Sequence, residues 1–137
     1  MDYSFQLGRR FRAIKLWFVF RAFGTEGIAA RIREHVRLAR EFAGWVDVHP
    51  QLERLAPTKF SVVCFRVHPA GVDDEAEIER LNAAALNKVN ASGEVLLSHA
   101  KLKGRYCLRL AIGNLGTTET HVRRAFELVC QAAGLKP

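Results

Sequence analysis

Residues 94–113 read EVLLSHAKLKGRYCLRLAIG, and the way this stretch folds decides the rest of the chain. Two β-favouring runs, EVLLSHAKL and RYCLRLAIG, flank Lys103-Gly104. That pair suits a tight turn, because glycine takes positive φ without steric cost. The stretch therefore predicts an antiparallel hairpin. Within its second run, Arg109 sits among Leu108, Leu110, Ala111 and Ile112, the texture of a buried strand. A guanidinium buried there needs a carboxylate, from the protein or from a ligand. An internal salt bridge, or an exposed place on the alternate face of the strand, would meet the same need.

Working outward, Thr117 and Thr118 offer caps to a helix whose Val122, Phe126, Val129 and Ala133 line one stripe. Upstream, Asp74 with Glu77 three residues on has the form of a capping box, followed by Ile78, Leu81, Ala85 and Val89, with Ser92-Gly93 as the stop. Before it, LERLAP and KFSVVCFRVHP read as two strands, closed by Pro69 and Gly71. Further upstream, Thr25 opens a helix carrying Ile28, Ile32, Val36, Ala39 and Ala43, with Arg31, Arg33, Arg37 and Arg40 on its other face. A leading helix over Gly8 to Phe23, stopped by Gly24, is apolar on more than one side. The expected order is α, α, β, β, α, β, β, α. Strands in adjacent pairs with helices between them predict an α+β fold: a short antiparallel or mixed sheet of about four strands, helices on one face.

At 137 residues the chain fits one domain, and its 49% hydrophobic content supports a core. The formal charge of +7 makes acidic partners conceivable, although solvated arginine faces are the simpler account. Cys64, Cys107 and Cys130 form no CxxC pair, and an odd count argues against a disulfide framework, so a reducing compartment and a cytoplasmic setting are expected. The longest apolar run, Leu16 to Phe20, is far short of the roughly 20 residues that span a bilayer, and no membrane association is expected. The pattern of a secretory signal is likewise absent.

Motifs for chemistry are few. His35, His49, His68, His99 and His121 show neither HxxxH nor a metal-ligand spacing with a cysteine, so no metal site is expected. Neither a GxSxG elbow nor a GxxxxGK[ST] loop occurs. The cluster Gly8 to Arg12, GRRFR, could grip phosphate with Phe11 as a stacking surface. No RNP-like strand, KH loop or finger spacing accompanies it, and nucleic acid is not the expected partner.

Taken together, QLGRRFRAIKLWFVFRAFG, VVCFRV and LSHAKLKGRYCLRLAIGNLGTTETHV resemble the C-terminal part of the group II pyridoxal-phosphate amino-acid decarboxylases. The pattern LGRRFR-x-x-KLW is similar to the aromatic-amino-acid branch. The resemblance runs from Asp2 to Gly134. It implies part of a dimeric fold-type-I enzyme, whose large domain holds pyridoxal phosphate and whose small domain is a short antiparallel sheet with helices on one face. By the same resemblance, residues 1–24 are an inter-domain connecting segment with its apolar helix, and residues 25–137 are the small domain. Ile14, Trp17, Phe18 and Phe20 would then rest against the large domain and the partner subunit, or drive self-association.

Residue by residue, Arg109 matches the arginine that pairs with the substrate carboxylate, a job that a bidentate guanidinium suits. Gly8 matches the glycine whose backbone approaches the cofactor phosphate. The departures matter equally. No His-Lys pair supplies a Schiff-base lysine, and Lys15, Lys59, Lys88, Lys101, Lys103 and Lys136 all fall in segments that match C-terminal structure. The aspartate for the pyridine nitrogen, the ring-stacking histidine and the proton-donor loop of the family also lack counterparts. The resemblance thus implies the small domain of a carboxy-lyase, with no catalytic residue of its own, not binding the cofactor and inactive by itself. The alternative is a non-catalytic basic interaction module for nucleic acid or an acidic protein.

Overall fold

The computed structural model describes residues 13–136. Seven elements follow one another: α1 (Ala13–Val48), β1 (Leu52–Arg54), β2 (Val62–Val67), α2 (Glu75–Ala91), β3 (Ser98–Leu102), β4 (Arg105–Ala111) and α3 (Glu119–Ala133). Two compact units divide between Arg31 and Ile32.

In the first unit, the expected stop at Gly24 is found: two helices meet there across a kink within α1. Gly24 has φ 63° and ψ 172°, a region essentially reserved for glycine. The second helix follows at once, with Glu26, Ala29, Ala30 and Arg31 favouring it and no proline interrupting it. The expected start near Gly8 lies outside the described residues. Ile14, Leu16, Trp17, Phe18, Val19 and Phe20 are all exposed, with Trp17 and Phe18 in edge contact at 5.1 Å between ring centres.

In the second unit, the four strands form one antiparallel sheet in the order β1-β2-β4-β3. Pairing of Cys64 with Arg109 and of Phe65 with Leu108 sorts the side chains. Val63, Phe65, Leu108 and Leu110 are buried on one face, while Cys64 and Arg109 take the other. The helices gather on the first face. Phe42 of α1 lies 5.1 Å from Phe65 and 5.9 Å from Phe126 of α3, which ties both layers into one core. The α+β architecture read from the sequence is the architecture found.

Local differences have local causes. α1 buries Leu38, Ala39, Phe42, Ala43 and Val46, so Ala39 and Ala43 are core as expected, whereas Ile32 is 50% exposed. The buried stripe begins later because its centre is the Phe42 aromatic contact. On α2, Asp74 caps by accepting from the Ala76 N–H at 3.0 Å. Leu81, expected in the core, is 39% exposed, and Asn82 takes the inward position with no exposed surface. The paired register of β2 and β4 ends at Phe65 and Leu108. Beyond it, Asn82 meets both the N–H and the C=O of Val67 at 2.8 Å and also reaches the Ile78 carbonyl.

The hairpin forms with Lys103 at φ 51° and Gly104 at φ 83°, the two positive values of a type I′ turn. Its first strand starts at Ser98 and not at Glu94, since Asn90 engages both backbone groups of Leu97, at 2.8 and 3.0 Å, and withdraws them from pairing. In α3 the Thr118 N–H donates to His121 Nδ1, and Gly134, at φ 72°, closes the helix with Leu135 N–H bonded to the Cys130 carbonyl at 2.8 Å.

Candidate site on the open sheet face

Three arginines, Arg66 of β2 and Arg105 and Arg109 of β4, take the face opposite the helices, and their fates differ. Arg66 of β2 is 2% exposed. Its Nε donates to Glu53 of β1 at 2.7 Å, and its Nη1 donates to Glu75 of α2 at 2.7 Å. Glu53 also accepts from Arg105 at 3.1 Å and lies 3.2 Å from His68 Nδ1. Burial pushes the Glu53 carboxyl up, but the bonds and charge of Arg66, helped by Arg105 and His68, outweigh it and hold the group below its ordinary value. Two arginines and two glutamates balance formally, so this cluster is spoken for.

Arg109 of β4 is half-buried between Cys64 of β2 and Ser98 of β3. Its Nη1 reaches the Ser98 hydroxyl at a long 3.4 Å. Among the described residues no carboxylate forms an ion pair with it. Of the options the sequence left open for Arg109, the internal salt bridge is therefore the one not made; Arg66 makes it instead. A half-buried guanidinium with one weak neutral partner retains most of its capacity to accept an oxyanion bidentately.

Around it, Cys107 is buried, and burial, followed by the neighbouring Cys64, pushes its thiol up, so it stays protonated and poorly nucleophilic. All three cysteines are free thiols. The sequence reading missed Arg66, Glu53, Glu75 and Asn82. The signal for Arg66 was present, because VVCFRV embeds an arginine in an apolar strand as CLRLAIG does.

Gly8, the expected phosphate neighbour, lies outside the described residues, as do Arg9, Arg10, Phe11 and Arg12. All six lysines lie exposed on the surface; Lys101 pairs with Glu79 at 2.8 Å and Lys88 donates to the Ala132 carbonyl at 3.3 Å. A lysine that forms an imine is activated by desolvation or by a neighbouring cation. The described residues thus offer an anion partner but no sheltered amine, and pyridoxal phosphate does not fit them as a covalently held group. Among the described residues, no three histidine, cysteine or acidic side chains gather to hold a metal ion, and no helix is long and apolar enough to cross a membrane.

The sheet thus carries helices on one face and, on the other, an arginine, Arg109, that has no carboxylate partner among the described residues. Residues 1–68 match the model of the pyridoxal-dependent decarboxylase conserved domain. A tryptophan decarboxylase of Camptotheca acuminata is 40% identical over 132 residues, covering 96% of this chain and 26% of that protein. A phenylacetaldehyde synthase of Arabidopsis thaliana is 41% identical over the same length, covering 96% of this chain and 27% of its own. Among solved structures, the tryptophan decarboxylase of Catharanthus roseus in complex with L-tryptophan matches 97% of this chain and 28% of that one, with a TM-score of 0.81 and 34% identity. The chain belongs to the pyridoxal-dependent decarboxylase family. It spans about a quarter of the length of these relatives.

Proposed function

We propose that this chain acts as the C-terminal small domain of a pyridoxal-phosphate-dependent aromatic amino acid decarboxylase, and that Arg109 binds the substrate carboxylate. The observation that carries the reading is the contrast on one sheet face: Arg66 is neutralised by Glu53 and Glu75, while Arg109, among the described residues, keeps only Ser98. A fixed guanidinium orients the bond to be broken, and orientation is where a positioned charge contributes most to such a reaction. Pyridoxal phosphate, when bound, supplies the electron sink, and that chemistry is the cofactor's own. Exposed lysines leave its covalent anchorage to the large cofactor-bearing domain, so the chain by itself is inactive. Gly8 is the proposed close approach to the cofactor phosphate. Ile14, Trp17, Phe18 and Phe20 are proposed to dock against the large domain or a second subunit. The basic-module alternative draws less support, because Arg37, Arg54, Arg66, Arg105 and Arg124 are all paired with carboxylates.

The test joins this chain to the large domain of an aromatic amino acid decarboxylase in place of the matching segment, and measures carbon dioxide release from carboxyl-labelled tryptophan and tyrosine. Arg109→Met is expected to raise KM for the amino acid about tenfold or more, the scale of losing a charge-assisted pair, with cofactor uptake unchanged. An Arg109→Met chimera with an unaltered KM overturns the role of Arg109. Turnover by the chain alone with added pyridoxal phosphate overturns its dependence on a second domain.

A further inference from the structure

A second surface, unrelated to Arg109, has the make-up of a ligand site. Between the C-terminal end of α1 and α3 lies a groove of about 890 Å³, within the range of small-molecule sites. Trp45 and Phe126 form its aromatic wall, their ring centres 5.7 Å apart, and Val48 and Leu135 add aliphatic surface. His49 braces it: Nδ1 accepts from the Gln51 N–H at 3.1 Å, which leaves Nε2 to donate to the Lys136 carbonyl at 3.0 Å. The loop after α1 is thereby tied to the segment after α3, which fixes both sides of the groove.

The charges at its mouth are one-sided. The Arg123 guanidinium lies 4.5 Å from the centre of the Trp45 ring, and its only carboxylate neighbour among the described residues is the exposed Glu119 at 3.8 Å, a weak pairing. Lys136 lines the groove, and its amine pairs with no carboxylate among the described residues. The one acid lining it, Glu127, is already engaged by Arg124 at 3.3 Å. We propose that this groove binds a small planar aromatic carboxylate, its ring against Trp45 and Phe126 and its acid group between Arg123 and Lys136. The ring replaces water on an apolar wall, and the acid meets two cations that lack a strong partner among the described residues.

The test uses the full chain carrying Trp17→Phe, which leaves Trp45 as the sole indole. Its emission is followed on titration with 3-phenylpropionate and with the uncharged 3-phenylpropionamide. A saturable change is expected with the acid, with Kd below about 1 mM. The amide, the Arg123→Gln variant and the Val48→Glu variant are each expected to bind the probe about tenfold more weakly or worse. Val48 is 82% exposed, so its substitution leaves the fold intact while placing a repelling charge on the wall. A linear response, equal affinity for acid and amide, or no loss in both variants overturns the proposal. None of these readouts involves the cofactor, so their failure is distinct from failure of the decarboxylase reading.

Discussion

Asn82 stands where a strand partner would otherwise be needed. Val67 presents its N–H and C=O beyond the last paired residues of β2 and β4, and one side-chain amide answers both. Asn82→Leu keeps the volume and strands these two buried groups. At about 1–3 kcal/mol for each of the two unsatisfied groups, a loss of about 2–6 kcal/mol is expected. Urea unfolding of the two proteins side by side measures it, and equal midpoints would remove Asn82 from this role. Glu53 makes a prediction in pH. Its folded-state carboxyl lies below the ordinary value of 4.5, so the unfolded chain takes up its proton first as the solution is acidified. The stability it contributes is complete above that ordinary value and is lost as pH falls through the lower, folded value. The melting temperature should therefore drop below pH 4.5, and Glu53→Gln should make that drop shallower while lowering the melting temperature at neutral pH.

At the scale of elements, α1 carries the most informative irregularity. Gly24 is kinked at φ 63°, ψ 172°, and a Cβ there meets no neighbouring atom, so backbone strain and not crowding reserves the position. Alanine in that conformation costs about 1–3 kcal/mol. In a regular helix alanine is preferred to glycine by about 1 kcal/mol. Gly24→Ala is expected to straighten the segment, so that carbon chemical shifts of residues 23–25 move to helical values and the far-ultraviolet helix signal rises. Unchanged shifts would mean that the bend is imposed from elsewhere. The hairpin shows the opposite economy: Lys103 and Gly104 take the turn their order calls for, and the register of β3 on β4 follows from it.

For the whole molecule the open question is what covers the apolar block. Leu16, Trp17, Phe18 and Phe20 are 47–59% exposed on one short segment, far more apolar surface together than a solitary soluble chain ordinarily shows. Self-association of the isolated chain at micromolar concentration is expected. It should change little between low and high salt, because apolar burial drives it and charge does not. Sedimentation velocity should report a shift to monomer for Trp17→Glu combined with Phe20→Glu. A single monomer boundary for the unaltered chain, with no binding of a dye that reports apolar surface, would count against the docking role of this segment.

Much of the fold is legible in the sequence. Hydrophobic periods of two and of about 3.6, glycine at the hairpin turn and at the helix ends, and proline after β2 are all written within four residues of where they act, and they gave the strands, the helices and the α+β order. Arg109 could also be singled out, since an arginine inside CLRLAIG is conspicuous by composition alone. Which strand arginine is neutralised was not legible. Glu53 and Glu75 lie 13 and 9 residues from Arg66, on β1 and α2, and only the folded arrangement brings them to it while bringing no acid of the described residues to Arg109. The same holds for Leu81 and Asn82, neighbours on one helix turn whose inside and outside were decided by the end of a strand ladder 15 residues away. Local order follows from sequence because its forces act between near neighbours; the pairing of charges and of spare backbone groups waits for distant segments to meet.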